Sequence, residues 1–338
     1  MPELKELFVE VTNFCCQKCI HCSSCAQFSH YPEISLIDLL HLVDSAIPLG
    51  LKRMTLSGGE PFLYSHLQDA VSYFGNKGLT TSIYTCGVIK NTNDELASID
   101  KDLFISLRSY GLNRVIFSLH GSTAELQDSI AQTPGSFKFV MESIDHAVQA
   151  GLRVELHTVP MRSNMYGLEH IFEIAVKKHI HHVSLLRFVP QGRGLIDMEP
   201  TKDDYIWLRQ SYYKWKMKFP SLHIRMGTPY NCISFAESEC TAGLDKLLIN
   251  AWGEYFPCEA FKFMHGQRPT IYNRDVKTEW ENDPLLNALR GMKINDVSVC
   301  KTCEYRKQCL GGCAGQRLHR NGSLFLGPDP GCIIRDDL

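Results

Sequence analysis

What the chain lacks narrows its class first. No apolar run among its 338 residues is long enough to span a bilayer, which takes about 20 residues. The start, Leu4-Lys5-Glu6-Leu7, has no basic segment leading into an apolar one, so it does not read as a secretory signal. Neither sign of charge is in excess: 35 Lys and Arg stand against 37 Asp and Glu, a net −2, and the basic residues are scattered. That balance favours neither a nucleic acid nor an anionic membrane as partner. Low-complexity tracts are missing, and so are repeats beyond a strand–helix alternation. The expectation is a cytoplasmic protein with no nucleic-acid or membrane partner.

What is present points to an enzyme-sized fold. Apolar residues make up 44% and charged residues 21%, enough to bury a sizeable core. The length fits one large α/β unit with a smaller module. Cysteine is the outlier, at 14. A secreted chain would put so many into disulfides; without a signal segment, metal ligation is the better reading. The cysteines are also clustered: five lie within residues 15–25, one stands at 86, and eight follow residue 230.

Taken in order, apolar strands alternate with helices at a period of about 30 residues. Strands are expected at Leu7 to Val11, Arg53 to Leu56, Thr81 to Tyr84, Arg114 to Leu119, Arg153 to His157 and Val183 to Phe188. Helices lie between them, the first running from about Ser35, a plausible N-cap, to Leu49. Alternation of this kind implies parallel pairing with right-handed crossovers. Six units are too few to close an eight-stranded barrel, so the fold class expected is α/β, an open partial (β/α)6 barrel. Chemistry in such folds sits at the C-terminal ends of the strands. Cys15, Gly58, Cys86, His120, His157 and Arg187 all fall at or just past those ends. A helix near Asp203 to Lys218 and a short strand, Leu222 to Arg225, finish the body. The character changes near residue 228, giving expected units of 1–227 and 228–338. The second should hold a hairpin, Lys246 to Pro257, and a short helix, Pro284 to Arg290.

The first cysteine stretch, Cys15-Cys16-Gln17-Lys18-Cys19-Ile20-His21-Cys22, carries C-x3-C-x2-C just after a strand. A four-iron cluster normally takes four cysteines. A loop offering three suggests a cluster with an open iron; a zinc site is the competing reading. The second hallmark, Gly58-Gly59-Glu60-Pro61, follows the second strand. With His21 before the last cysteine, and with the partial barrel, the chain resembles the radical S-adenosylmethionine enzymes over residues 1 to about 225. The resemblance implies that Cys15, Cys19 and Cys22 ligate a [4Fe-4S] cluster whose open iron chelates the amino and carboxylate groups of S-adenosyl-L-methionine. It implies further that His21 and Gly58 to Pro61 lie at the cofactor, the glycines allowing close backbone approach and Glu60 accepting from the ammonium group.

The later cysteines form Cys240-x12-Gly253-x4-Cys258, then Cys300-x2-Cys303-x5-Cys309-x3-Cys313, then Cys332. With Trp280 and Leu286 to Arg290 between, this resembles the SPASM extension, which carries two auxiliary four-iron clusters. The resemblance assigns Cys240, Cys258 and Cys313 to the cluster nearer the active site, with Cys232 as a candidate fourth ligand. It assigns Cys300, Cys303, Cys309 and Cys332 to the distal one. A pair of zinc knuckles accepts similar spacing.

Other positions keep two readings. Ser118 ends the fourth strand, as a cofactor contact or a capping hydroxyl. The family's usual arginine before a Gly-Ser-Phe stretch is replaced here by Ala131 or Gln132, leaving Lys138 or Arg187 as substitutes. Gln191-Gly192-Arg193-Gly194 is an adenine-side loop or a turn. Cys86 is a hydrogen-atom donor to a substrate radical or a small residue in a tight turn. His120 and His157 are a base, substrate contacts or hydrogen-bonded strand-end histidines.

The resemblance implies a 5′-deoxyadenosyl radical that takes hydrogen from a ribosomally made peptide, for crosslinking, oxidation, excision or epimerisation. A flavodoxin- or ferredoxin-type reductant would supply the electron. The chain begins at the first barrel strand, so the expectation is that a separate protein presents the peptide, or that the substrate is a small metabolite such as a sugar or nucleoside derivative.

Overall fold

The structure, a computed structural model, describes residues 1–29, 31–235 and 240–334. Alternation along each strand decides how the sheet is used. In β1 (Glu6–Thr12) Leu7, Val9 and Val11 are fully buried, while Glu6, Phe8 and Glu10 take the opposite face. In β2 (Arg53–Gly58) Met54 and Leu56 face the same way as Leu7, and Thr55 faces the other. β3 (Thr80–Thr85) repeats this with Ile83 against Ser82 and Tyr84. The apolar face is covered by helices. α1 (Leu36–Ala46) supplies Leu39, Leu42 and Val43, and α2 (Leu67–Asn76) supplies Ala70, Val71 and Phe74, all in one core cluster with the strand residues. Each such aliphatic or aromatic side chain contributes about 1.5–3 kcal/mol on burial. Ser35 caps α1, its hydroxyl accepting from the Asp38 N–H at 3.1 Å.

The chain continues through a two-residue antiparallel pair, β4 (Ile89–Lys90) and β5 (Leu96–Ala97), to α3 (Lys101–Ser109) and β6 (Leu112–Ser118). Next come α4 (Ala124–Ala131), α5 (Ser136–Gln149), β7 (Arg153–Thr158), α6 (Leu168–Lys177), β8 (His182–Leu185), α7 (Lys202–Lys218) and β9 (His223–Met226). The main sheet has the order β11-β10-β1-β2-β3-β6-β7-β8-β9, with β10 (Lys246–Ile249) and β11 (Tyr255–Phe256) from the cysteine-rich segment. All pairs are parallel except β10 with β11. The expected six-unit α/β barrel is present as β1, β2, β3, β6, β7 and β8, and β9 extends it.

Two features depart from the sequence reading. The hairpin expected as a separate element joins the barrel: β10 pairs with β1 in register from Glu6↔Lys246 to Val9↔Ile249. The sheet therefore crosses the boundary expected near 228, although strand–helix alternation does stop there. And α4, capped by Thr123, occupies a stretch with no expected element.

The inner face of the sheet is polar. Glu6 accepts from Thr55 Oγ1 at 2.9 Å, Arg114 Nε donates to Ser82 at 3.1 Å, and Arg114 and Arg153 pair with Glu155 at 3.2 and 2.8 Å. These cross-strand bonds satisfy groups that an apolar lumen would strand. After β9 the chain turns to short elements: α8 (Asn231–Ser234), α9 (Val276–Asn282), α10 (Pro284–Gly291), α11 (Arg306–Cys309) and α12 (Ala314–Asn321). Among the described residues no helix is long and apolar enough to cross a membrane.

Candidate active site

The first cysteine loop leaves β1 and is held by backbone at its root. Gly59 N–H donates to Thr12 O and Glu60 N–H to Phe14 O, both at 2.7 Å. A Cβ on Gly58, whose φ is +137°, would overlap Thr12 O, and one on Gly59 would overlap Phe14 O. The close approach that requires the glycine pair is thus to the chain entering the cysteine loop. Glu60 is turned inward and fully buried. Its carboxylate accepts from Cys86 N at 2.8 Å, Thr85 Oγ1 at 2.8 Å and Phe62 N at 3.1 Å. Glu60 thus ties the end of β3 to the turn at Pro61, and with one donor on Oε2 and two on Oε1 its carboxylate keeps acceptor capacity for the ammonium contact that the resemblance implies. Burial pushes its pKa up to about 7, against the pull of these bonds.

Further along, the loop is pinned from two sides. Lys18 and Ile20 N–H donate to Ala131 and Ile130 O at 3.1 and 3.0 Å, so α4 is part of the loop's seat. Arg193 donates from Nε to Cys19 O at 2.9 Å, from Nη1 to Ala26 O at 2.8 Å and from its own N–H to Cys22 O at 3.0 Å. Gly192, at φ +63°, lies so close that a Cβ would overlap Cys22 O. The stretch Gln191 to Gly194, left between adenine-side loop and turn by the sequence, is a clamp on the cysteine loop. Gln191 also binds the C-terminal segment, donating to Glu259 O at 2.7 Å and accepting from Phe263 N at 3.0 Å. Lys262 completes the seam: it pairs with Glu10, which Ser24 also meets at 2.8 Å, and donates to Ser24 at 2.5 Å.

Burial, then the neighbouring Cys15 and Cys22, push the Cys19 thiol well up, so the three cysteines of the motif are within electrostatic reach of each other. Cys86 joins them from β3. Hydrogen bonds with Cys15 and Cys16, then burial, raise its pKa well above the usual value, and its Sγ donates to Val88 O at 3.4 Å. His21 and His120 meet through their Nε2 atoms at 3.1 Å. Val159 N–H donates to His120 Nδ1 at 3.2 Å, which places the proton of neutral His120 on Nε2 and that of His21 on Nδ1. Burial holds His21 down to about 4 and His120 well below its ordinary value.

His157 is buried beside Tyr84, ring centroids 5.1 Å apart, and burial pushes it down to about 3 against the opposing charge of Glu155. Ser118 ends β6 in register with His157. Gln132 caps α4, its Nε2 donating to Ser129 O at 2.6 Å, and Lys138 Nζ lies 5.7 Å from the Phe139 ring centroid. Arg187 is turned to the late cysteines. Its side chain, 1% exposed, pairs with Asp329 at 2.6 Å among the late cysteines. The strand that was to carry it to the barrel mouth stops at Leu185.

None of the 14 cysteines forms a disulfide. Cys232, Cys300, Cys303, Cys309 and Cys332 line one cavity with Phe235 and Tyr305. Cys258 lies instead within electrostatic reach of Cys240 and Cys313. Cys232, read from sequence as a possible fourth member of the Cys240 group, is thus seated in the other. Among the described residues no three His, Cys, Asp or Glu side chains converge as a single metal ion would require; these cysteines line a space instead. Several buried donors without a partner among the described residues lie in the same two places, alongside the acceptors Glu10 Oε2 and Asn13 Oδ1 and others elsewhere in the molecule. Asn13 Nδ2, Gln17 Nε2, His21 Nδ1 and Arg193 Nη2 flank the first loop, and Arg187 Nε and Nη2 lie by the late cysteines. Unpaired buried donors are costly, and a sulfur-rich anionic group would accept from them. Both donor sets fit such a group.

The model of the Radical SAM superfamily matches residues 9–182, just over half of the chain. The AdoMet-dependent heme synthase of Methanosarcina barkeri is 24% identical over 348 residues, covering 96% of this chain and 95% of that protein. The PqqA peptide cyclase of Rhizobium meliloti is 23% identical over 342 residues, covering 98% and 88%. In structure, Streptococcus suis SuiB bound to its precursor peptide SuiA superposes with a TM-score of 0.78 at 16% identity, covering 98% of this chain and 76% of that one.

Proposed function

This chain belongs to the radical SAM superfamily of enzymes, and on that premise we propose that it is a maturase that abstracts hydrogen from a ribosomally made peptide, with auxiliary iron–sulfur groups held by its late cysteines. A [4Fe-4S] cluster on Cys15, Cys19 and Cys22, together with S-adenosyl-L-methionine and one external electron, supplies a 5′-deoxyadenosyl radical. The chain's own part is to hold, orient and shield. Gly58 and Gly59 let β2 close on the root of the loop. Glu60 fixes the Cys86 peptide beside Cys15. Arg193 and Gly192 keep the loop folded, and the His21–His120 pair stays neutral because it is buried. We assign Cys86, whose Sγ donates to Val88 O, as the candidate hydrogen-atom donor, and Ser118 and His157 to the barrel's C-terminal end. We assign Cys240, Cys258 and Cys313 to an inner auxiliary group, and Cys300, Cys303, Cys309 and Cys332 to an outer one beside Cys232.

The observation that carries the reading is the joining of two cysteine-rich regions on one sheet, through β1–β10 pairing and the Lys262–Glu10 seam. The peptide substrate draws support from the full-length likeness to a peptide cyclase and to an enzyme seen with its precursor peptide. The heme synthase likeness, at 95% of that protein, favours a second reading in which a small molecule is oxidised or decarboxylated.

Anaerobically reconstituted protein should hold about twelve irons and cleave S-adenosylmethionine under strong reductant. The C15A/C19A/C22A variant should lose about four irons and all 5′-deoxyadenosine formation. A peptide encoded beside the gene should accelerate that formation and change mass. About four irons in the wild type would refute the auxiliary groups, and 5′-deoxyadenosine from the triple variant would refute the loop. Acceleration by a small molecule but by no peptide would select the second reading.

A further inference from the structure

Arg187 and Asp329 form an ion pair at 2.6 Å with both side chains 1% exposed. Taking such a pair out of water costs several kcal/mol per ion, so a bare pair is a weak source of stability. The pair touches both late cysteine groups. On one side Arg187 Nη1 lies 3.6 Å from Cys232 Sγ, in the wall of the five-cysteine cavity. On the other, Asp329 accepts from the backbone N–H of Cys313, and its own carbonyl accepts from Cys332 N at 2.8 Å. The guanidinium is only partly used. Nη1 also donates to Pro229 O at 3.0 Å, but Nε and Nη2 are buried with no hydrogen-bond partner among the described residues. Arg187 belongs to the barrel, two residues past β8, and Asp329 to the last segment of the chain.

A buried cation whose Nη1 meets Cys232 Sγ, with two further N–H donors unpaired and Nη2 beside Gly331 next to Cys332, is placed to act on anionic sulfur through its charge. We propose that Arg187 tunes the two auxiliary groups: through its charge and spare donors it raises their reduction potentials, and Asp329 offsets part of that charge. The proposal rests on the auxiliary-group reading above. The physical basis is that net charge and hydrogen bonds to sulfur set iron–sulfur potentials, and both change when the guanidinium is removed. Arg187 is a positioning and tuning residue here; it lies away from the Cys15 loop and does no chemistry itself.

The test is an EPR-monitored redox titration of the anaerobically reconstituted full-length chain, with iron counted on each sample. In R187M the auxiliary signals should shift to lower potential by at least tenfold in the reduction equilibrium, about 59 mV for one electron. The Cys15 cluster should not move. R187K, which keeps the charge but loses the planar fork, should shift less. D329N, which removes the counter-charge but keeps an oxygen, should shift the auxiliary signals upward. A merely structural role would disturb both variants in the same direction. Unchanged auxiliary potentials in an R187M protein with wild-type iron overturn the proposal, as does a shared direction for R187M and D329N. Should R187M fail to retain iron, R187K and D329N decide it by their opposite signs. About four irons in the wild type would instead overturn the auxiliary reading on which it stands.

Discussion

The two cysteine regions are held in different ways. The first loop sits on a finished scaffold: its root is bonded to β2, its middle to α4 and Arg193, and beneath it lies a large apolar core in which Leu7, Val9 and Leu56 are fully buried. The late cysteines sit on shorter pieces. A smaller core cluster, Phe8, Leu248, Phe256, Phe261, Ala314 and Leu324, lies by them, while Tyr230, Ile233, Trp280 and Leu286 join the main core, and two of their helices, α8 and α11, have four residues each. Polar devices take over, notably the Arg187–Asp329 pair and Arg317 bonded to Leu324 O and Gly311 O. The comparison predicts that the barrel forms its cysteine loop before any cluster binds, whereas the late cysteines draw their segment together only on binding theirs.

Iron removal should expose this over the longest stretch of chain. In hydrogen exchange of apo against reconstituted protein, amides of residues 292–334 should lose at least about a hundredfold protection, or about 2.7 kcal/mol. Strands β2, β3 and β6 should change little; equal protection of both regions in the apo protein would break the comparison. The seam comes next. Lys262→Met leaves Glu10 charged and buried without its partner, at a cost of about 3–5 kcal/mol in chemical denaturation. Adding Glu10→Gln should recover much of that loss, and failure to recover it would remove the pair as the joint between the regions. The smallest effect is one of acid on the barrel lumen. His157 titrates near 6.5 when unfolded but is held to about 3 when folded. The unfolded chain therefore binds the proton first, and stability complete above about pH 6.5 is lost as pH falls, by about 1.4 kcal/mol per unit. His157→Gln should flatten this limb of the curve at pH 5; an unchanged slope would place the acid sensitivity elsewhere.

Much of the barrel was legible in the chain because its signals are local. Apolar strands followed by a helical period, and Ser35 as a cap, were readable within a few residues of each element. The cysteine loop was legible for the same reason. What escaped is non-local. Nothing at Lys246 announces that it pairs with Glu6, because a short hairpin looks alike whether free or added to a sheet. Gly192-Arg193 resembles any turn until Cys19, Cys22 and Ala26 are brought to it. Arg187 was expected at the barrel mouth because the strand seemed to run on; its partner Asp329 lies 142 residues away. Cys232 was grouped by spacing with Cys240, yet it lines the cavity of Cys300 to Cys332. The contacts of Glu60 with Thr85 and Cys86 were likewise not readable, because they come from the next strand.

The β1–β10 pairing also bears on how the molecule is made. β1 is synthesised long before β10, and the edge it gives to β10 stays open until Ile249 has left the ribosome. At about 5–20 residues per second, that is a delay on the order of ten to fifty seconds. Throughout it, an apolar strand ending in Cys15 to Cys22 offers unpaired backbone to any passing chain. Contacts of such sequence separation are slow to form. The nascent barrel is therefore exposed to misassembly along β1, beside the three cysteines of its first loop.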